Sequence, residues 1–376
     1  MNRKVGIITI PDYNNYGNRL QNYAVKMVFH KLGFTTVDSL EINDISFKLY
    51  KARKYKLLLK KYNLKPIIFL FNIFKGGFSY ARRDAYFEQF TREFLSTKFY
   101  PHYNSKTLSE INTEYDYFVF GSDQIWNPYI NDSPNLYFGL FTDASKRIFY
   151  APSFGVNRIN SEYSRIVFNA LQNVESISVR EESGKTIIQH ILNKPAEVLI
   201  DPTLMLNASE WTQIAKAPKK DIQGPYILSC FLGPKSCEYT SIMENVMTVI
   251  GCNSIYSIAE KSTTGYLTGP SEFVYSIQNA KFVITDSFHA TVFAILFNKP
   301  FLVLSRLDAN GNNAQMDSRI DTLLMKFGLI DRKYTGQTID YMNCDFSSID
   351  AILSKERQRT INFIEKIILK RENLDY

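Results

Sequence analysis

Short apolar segments alternate with helical ones along the whole of this 376-residue chain. In the N-terminal half, residues 5–10 form an apolar run, which is followed by a polar loop and a helical pattern over 19–32. Further strand patterns follow at 117–120 and 147–150. Strands that alternate with helices are typical of a parallel sheet. The alternation therefore predicts an α/β fold, and it restricts the architecture more than any other feature.

The C-terminal half repeats this alternation, so a second sheet is expected. Its strand patterns lie at residues 226–231, 282–285 and 301–305. Because the chain exceeds one ordinary domain, we predict two Rossmann-like domains over 1–210 and 211–348 that face a cleft, a GT-B-like arrangement. Residues 349–376 are predicted to add an amphipathic helix, since apolar residues recur there at helical spacing among many charges.

Absent signals narrow the function classes. No apolar leader follows Met1, and the four cysteines show no zinc or disulfide spacing. The sequence has no GxGxxG, HExxH or GxSxG motif. We therefore predict a cytoplasmic protein with no metal site, no cofactor and no nucleic-acid partner. Dehydrogenase, metalloprotease and serine-hydrolase activities lose support.

Positive charge is concentrated in one segment, because residues 46–83 hold 11 basic residues and no acidic one. The apolar run 66–74 within it is too short to cross a bilayer, which takes about 20 apolar residues. Basic residues beside such a run suit the interface of an anionic membrane. We predict peripheral membrane contact through 46–83, where a lipid-linked acceptor would be presented. A solvated basic helix followed by a buried one is the alternative.

The segment from Thr285 to Ala290 lies between a strand pattern and a helical one, which places His289 in the first turn of a helix. Free amides at a helix N-terminus attract phosphate or carboxylate, and an imidazole beside them can donate to the anion or transfer a proton. Thr285 and Ser287 are accordingly predicted to bind an anionic donor. The alternative is a helix capped by Asp286 or Ser287, with a packed histidine.

A polar loop follows the first strand and leads into the first helix. It is placed like a binding loop, because ligands of open α/β sheets bind beyond the carboxyl ends of the strands. Its candidate acceptor-binding residues are Asn14, Tyr16, Asn18, Arg19 and Asn22. An ordinary turn before a capped helix would explain the same residues.

Residues 121–128 are mostly polar and follow the strand pattern 117–120. Ser122, Asp123 and Trp126 are therefore candidates for holding acceptor hydroxyls, with Asp123 as the carboxylate that receives a proton. Alternatively, Ser122 and Asp123 cap the next turn and Trp126 belongs to the core.

Arg180 ends another strand pattern, and its guanidinium suits a phosphate or a carboxylate. We predict that it binds the donor. An ion pair with Glu181 or Glu182 is the competing explanation for its position.

Five motifs together resemble the polysaccharide pyruvyl transferase family. They read NYGNRLQNYA from Asn15, GSDQIWN from Gly121, SVREE from Ser178, DPTL from Asp201 and TDSFHA from Thr285. The likeness covers about residues 5–330. It implies a GT-B-like pair of domains and transfer of pyruvate from phosphoenolpyruvate to two hydroxyls of a sugar, which forms a ketal in a bacterial surface-polysaccharide precursor.

With that donor, His289 is expected to protonate the methylene carbon, and Asp123 is expected to assist an attacking hydroxyl. Two other functions fit the same pattern. One is a glycosyltransferase that uses a nucleotide sugar on a GT-B-like scaffold, and the other is a non-catalytic glycan-binding or scaffold protein.

The chain departs from the family at one motif position. Many members carry an arginine where this sequence has Ser287. The resemblance places Arg180 on a family arginine that faces the donor. Arg19, Arg306 and Arg319 are the candidates to supply the missing charge, and Arg306 and Arg319 are predicted donor-binding residues.

Overall fold

The computed structural model describes most of the chain. The described residues are 2–42, 78–100, 102–130, 133–219, 222–260, 263–314 and 317–373. Of the segment 46–83, for which membrane contact is predicted, residues 46–77 lie outside the described residues. Within the described residues the fold is α/β, with parallel sheets and twelve α-helices. None of these helices is long and apolar enough to cross a membrane.

The first sheet has five parallel strands. They are β1 Lys4–Ile8, β2 Thr36–Ile42, β3 Thr97–Tyr100, β4 Tyr117–Phe120 and β5 Arg147–Phe149. Their order is β3-β2-β1-β4-β5, so the winding reverses between β1 and β4. Ligands of doubly wound sheets bind at such a reversal, beyond the carboxyl ends of the strands. The loops after β1 and β4 are therefore available to a ligand.

The second sheet has four parallel strands. They are β8 Ile227–Cys230, β9 Ile255–Ile258, β10 Phe282–Thr285 and β11 Phe301–Val303. Their order is β11-β10-β8-β9, and the winding reverses between β8 and β10. Two short strands, β6 Ser178–Val179 and β7 Glu197–Val198, pair only with each other. Arg180 follows β6 directly.

Six helices belong to the N-terminal half and six to the rest of the chain. The first six are α1 Tyr16–Lys31, α2 Phe78–Phe94, α3 Ser105–Glu114, α4 Pro134–Tyr137, α5 Ser161–Leu171 and α6 Glu182–Leu192. The others are α7 Ala208–Ile214, α8 Cys237–Ile250, α9 Pro270–Gln278, α10 Phe288–Leu296, α11 Ser318–Lys326 and α12 Ile349–Glu372. Helix α1 begins after Asn15, whose side chain accepts a hydrogen bond from the Asn18 amide.

The predicted α/β class is confirmed, and the strand patterns at 117–120 and 282–285 have the bounds seen in β4 and β10. Strands β2, β3 and β9 were not predicted. In β2 the reason is visible in its sequence, TVDSLEI, where Asp38, Ser39 and Glu41 are buried beside apolar residues. A strand buried with its polar groups paired does not show the alternation by which strands are predicted.

One hydrophobic cluster includes residues of both sheets, and Trp211 lies within it. Its ring is fully buried, with its centroid 5.7 Å from that of Tyr23 in α1 and 4.9 Å from that of Phe293 in α10. Its Nε1 donates to the carbonyl of Thr203 at 3.0 Å. This packing fixes α1 against α10, and these two helices begin at the loops after β1 and β10.

We expect Trp211→Ala to lower the free energy of unfolding by about 3–5 kcal/mol, because it leaves a cavity where two halves of the core meet. Urea unfolding followed by circular dichroism measures the change. Val249→Ala is the control, since Val249 is 62% exposed and surface changes alter stability by about 0.5 kcal/mol or less. Equal losses in the two variants would contradict the role given to Trp211.

Candidate active site

Asp201 lies at the centre of the candidate site, with its side chain fully buried. Its Oδ2 accepts hydrogen bonds from Arg180 Nη1 at 2.7 Å and from Ser122 Oγ at 3.2 Å. The same oxygen is 3.7 Å from His289 Nε2. Its Oδ1 accepts from the amide and the hydroxyl of Thr203, at 2.9 and 2.6 Å. One carboxylate thus brings together residues that follow β4, β6 and β10.

Opposite effects act on the pKa of Asp201. Burial alone would raise it, but the facing groups of His289, Arg180 and Thr203 hold the pKa below its usual range. The carboxylate is therefore ionised at neutral pH and serves as a buried counter-charge. Burial and then the charge of Asp201 raise the pKa of Tyr150 well above its usual value, so this buried hydroxyl stays neutral.

His289 is the second residue of α10, and it lies in the first helical turn as the sequence predicts. Ser287 caps this helix by accepting a hydrogen bond from the Ala290 amide. The imidazole packs against Gly17 in α1 so closely that a methyl group at position 17 would overlap the ring at Nδ1. The buried Nε2 has no hydrogen-bond partner within the described residues. The absence of a side chain at Gly17 therefore allows α1 to pack against the imidazole of His289 in α10.

Two buried arginines lie over the ring of Phe288. The Cζ atom of Arg180 is 4.8 Å from the ring centroid, and that of Arg319 is 5.8 Å from it. In the described part of the chain, Nε and Nη2 of Arg180 and Nε of Arg319 have no hydrogen-bond partner. Burial, together with the positive charges of Arg180 and Arg306, lowers the pKa of Arg319 to about 9. Buried guanidinium nitrogens that lack hydrogen-bond partners are complementary to an anion.

Arg306 is the third arginine near the site, and it is partly engaged. Its Nη2 donates to the carbonyl of Asp286 at 3.2 Å, and its Nε is 3.7 Å from the carboxylate of the same residue. That carboxylate accepts from the amides of Leu232 and Gly233 at 2.7 and 2.8 Å. Asp286 thus fixes the loop after β8 and orients Arg306. Arg180, Arg306 and Arg319 are called the arginine cluster below.

Asn18 connects the loop after β1 to the loop after β4, because its Nδ2 donates to the carboxylate of Asp123 at 2.8 Å. The other carboxylate oxygen of Asp123 accepts from the Gln124 amide at 2.8 Å. Asn18 Oδ1 accepts from Arg19 at 2.7 Å, and Arg19 lies 3.6 Å from Glu41. Arg19 and Asp123 are therefore both held by groups of the N-terminal half.

Asn14 and Tyr16 are held by Arg83 of α2, which is 4% exposed. Its Nε donates to Asn14 Oδ1 at 3.1 Å, and its Nη1 donates to the Tyr16 hydroxyl at 2.5 Å and to the Tyr266 carbonyl at 2.9 Å. The Tyr16 hydroxyl also forms a hydrogen bond with Thr268 at 2.8 Å. These contacts couple the first loop to the C-terminal half.

Four predicted site residues make contacts within the fold: Trp126, Asn22, Thr285 and Ser287. Trp126 is fully buried, and its ring centroid is 5.2 Å from that of Phe138. Asn22 donates to the Ser39 hydroxyl at 2.6 Å. The hydroxyl of Thr285 donates to a carbonyl at the end of β8 at 2.6 Å. The contacts of these residues with a ligand stay predictions. The observed positions match the alternatives, in which Trp126 belongs to the core and Ser287 caps a helix.

Sequence reasoning gave no role to Asp201, although the residue stood in a quoted motif. The competing ion pair for Arg180 was assigned to Glu181 or Glu182, whereas the observed partner is Asp201. Glu181 instead accepts hydrogen bonds from Ser153, Phe154 and Gly155. The available signal was an acidic residue before a proline, three residues after the end of the short strand β7, because ligands of parallel sheets bind beyond the carboxyl ends of the strands.

We expect Asp201→Asn to lower the free energy of unfolding at pH 7 by about 3–5 kcal/mol, because it leaves Arg180 buried without a counter-charge. The depressed pKa of Asp201 means that its ionised form stabilises the fold fully above the unfolded-state pKa near 3.9 and progressively less below it. The difference between wild type and variant should therefore narrow below about pH 4. Urea unfolding at several pH values measures it.

Glu182→Gln is the matched control for this substitution. Glu182 is also near Arg180 in sequence, but its side chain is 57% exposed and pairs with Lys185. We expect a change of about 0.5 kcal/mol or less. A loss as large as that of Asp201→Asn would show that Arg180 depends on Glu182 as much as on Asp201, which would contradict the pairing of Arg180 with Asp201.

Within the described residues, no three His, Cys, Asp or Glu side chains are grouped to hold a metal ion. The fold and the site define an α/β protein in which a histidine, an ionised aspartate and buried arginines meet beyond the carboxyl ends of parallel strands.

Comparison with known families agrees with this class. The family model "Polysaccharide pyruvyl transferase" matches residues 15–308, which is more than half of the chain, so the chain belongs to the polysaccharide pyruvyl transferase family. It is a transferase, and the family implies pyruvyl transfer to a polysaccharide. The matched region includes Arg180, Asp201 and His289, and it ends before Arg319. No curated protein matches the chain.

Proposed function

We propose that the donor is phosphoenolpyruvate and that Arg180 and Arg319 bind it beside His289. The observation that supports this is the set of unpaired guanidinium nitrogens around Phe288. Phosphoenolpyruvate carries a carboxylate and a phosphate on one three-carbon skeleton, so it requires two cationic groups close together. Arginine suits both anions, because its N–H groups match two oxygens at once.

Arg319 is the arginine that best replaces the charge missing at Ser287. Arg19 faces Glu41 at 3.6 Å, and Arg306 faces Asp286 at 3.7 Å. Arg319 is 6% exposed and forms no ion pair within the described residues. The charge of Arg180 lowers its pKa more than the charge of Glu181 raises it. An incoming anion would therefore relieve a repulsion as well as form hydrogen bonds.

In the proposed reaction, His289 gives a proton to the methylene carbon of the donor, and the neighbouring carbon becomes electron-poor. A first acceptor hydroxyl adds to that carbon and loses its proton to Asp123. The second hydroxyl adds as the bond from carbon to the phosphate oxygen breaks, and its proton leaves with phosphate. The products are a ketal and inorganic phosphate, and the proton on Asp123 replaces the one that His289 gave. Arg180 and Arg319 hold the anionic groups throughout.

The acceptor is proposed to be a lipid-linked precursor of a bacterial surface polysaccharide, such as capsule, which is reached from the cytoplasm. Its hydroxyls would meet the loops after β1 and β4, near Asn18 and Asp123. A GT-B-like cleft between 1–210 and 211–348 and membrane contact through 46–83 belong to the same proposal. The supporting observations are the two winding reversals and the basic composition of 46–83.

We expect His289→Ala to reduce phosphate release from phosphoenolpyruvate by about 10²- to 10⁴-fold, the usual contribution of a positioned proton donor. The assay uses a panel of polyprenyl-linked oligosaccharides as acceptors and measures phosphate colorimetrically. The variant should keep its far-ultraviolet circular dichroism spectrum, because Ala favours the helix. Phosphate release at the wild-type rate would remove His289 from the reaction, and a collapsed fold would mark it as a packing residue.

We expect Arg319→Lys to raise KM for phosphoenolpyruvate by about 10- to 100-fold, since an ammonium cannot reproduce the paired hydrogen bonds of a guanidinium, worth about 1.5–3 kcal/mol to a charged group. Arg306→Lys is the matched variant. Its effect should be smaller, because Arg306 already contacts Asp286. Initial rates over a range of phosphoenolpyruvate concentrations give KM for both variants. A larger increase in KM for Arg306→Lys than for Arg319→Lys would assign the donor anion to Arg306.

A further inference from the structure

A cavity separate from the arginine cluster lies along helices α5 and α6. Its volume is about 840 Å³, within the range of small-molecule pockets. Four apolar side chains line it: Ile159, Phe168, Ile187 and Ile191. Phe168 is 44% exposed, although helices usually bury such residues. We call this cavity the α5–α6 groove.

The charged side chains that line the α5–α6 groove have one sign. They are Arg158 and Arg165, and none of the lining residues is an aspartate or glutamate. In the described residues, neither arginine has an ion-pair or hydrogen-bond partner. Other arginines of this half are engaged: Arg147, for example, donates to the carbonyl of Thr142 at 2.6 and 3.0 Å. The groove is thus complementary to an apolar chain that carries an anionic group.

The α5–α6 groove adjoins the candidate active site. Asn157 lines it and also lines a neighbouring cavity of about 420 Å³ between α6 and α11. That cavity is bounded by Glu182 and Ser318, and these residues follow Arg180–Glu181 and precede Arg319 in the chain. The groove begins at Thr186, four residues into α6, or about 6 Å along the helix axis. A ligand at the Thr186 end of the groove therefore lies about one helical turn along α6 from Glu182, the second residue after Arg180.

We propose that the α5–α6 groove binds a phosphorylated lipid chain, the carrier part of the acceptor. The apolar chain lies on Ile159, Phe168 and Ile191, and the phosphate lies between Arg158 and Arg165. The glycan then extends past Asn157 toward the arginine cluster. Only the identity of the glycan rests on the proposed function, because binding of the lipid phosphate requires no turnover.

Titration calorimetry of the full chain with geranylgeranyl monophosphate, in a dilute non-ionic detergent, tests this site. We expect saturable binding, and Arg158→Gln/Arg165→Gln should raise Kd by about tenfold or more. Arg92→Gln is the matched control, because Arg92 is an exposed arginine of α2 that lies outside the groove. Its Kd should equal that of the wild type. Phe168→Asp, on the apolar side, should also weaken binding.

Two further probes separate the contributions of the chain and the phosphate. Geranylgeraniol should bind more weakly than its phosphate, and equally to wild type and the double arginine variant. Inorganic phosphate should not compete at equal concentration. Equal Kd values for the phosphate in wild type and double variant, or for the phosphate and the alcohol in wild type, would overturn the proposal.

The double arginine variant also distinguishes this proposal from the proposed function. Phosphate release with a lipid-free oligosaccharide should be unchanged by Arg158→Gln/Arg165→Gln, while release with the polyprenyl-linked form should fall. If the lipid phosphate binds as expected but no phosphate is released from phosphoenolpyruvate with either acceptor, the groove stands and the donor assignment fails. If release with both acceptors is unaffected, the groove does not deliver the acceptor.

Discussion

The buried ion pair between Arg180 and Asp201 is the interaction on which the rest of the site depends. Taking two charges out of water is unfavourable unless each meets a partner and further hydrogen bonds. Here Thr203 and Ser122 supply those bonds to the carboxylate, and His289 faces the same oxygen. Because each of these groups is a hydrogen-bond or charge partner of the Asp201 carboxylate, a substitution of one changes the position and the electrostatic surroundings of the others.

The site is assembled from both halves of the chain, which makes its geometry a property of the core. Gly17 admits the imidazole of His289 against α1, and Trp211 packs α1 against α10. Arg83 binds Tyr16 and the carbonyl of Tyr266, so the first loop is also linked to the C-terminal half. Positioning of this kind matters, because a displacement of about 1 Å can reduce a rate about 10²-fold.

Local patterns predict what depends on neighbours in the sequence. His289 was placed correctly because a strand, a capping residue and a helix follow one another within a few positions. The partner of Arg180 was not predicted, because Asp201 lies 21 residues away along the chain, whereas Glu181 and Glu182 are adjacent to it. The lowered pKa of Arg319 could not be predicted either, because it arises from burial and from the charge of Arg180 in the folded chain. Roles that rest on a ligand, such as that of Asp123, remain predictions.

The unpaired nitrogens of Arg180 and Arg319 have a consequence for the stability of the protein. Buried groups without partners and like charges in contact both lower the free energy of unfolding, and natural proteins tolerate such features mainly at functional sites. The arginine cluster therefore lowers stability, as functional groups commonly do. Substitutions that neutralise this cluster are expected among stabilised variants of the chain, and the proposed donor site predicts that these variants bind phosphoenolpyruvate weakly.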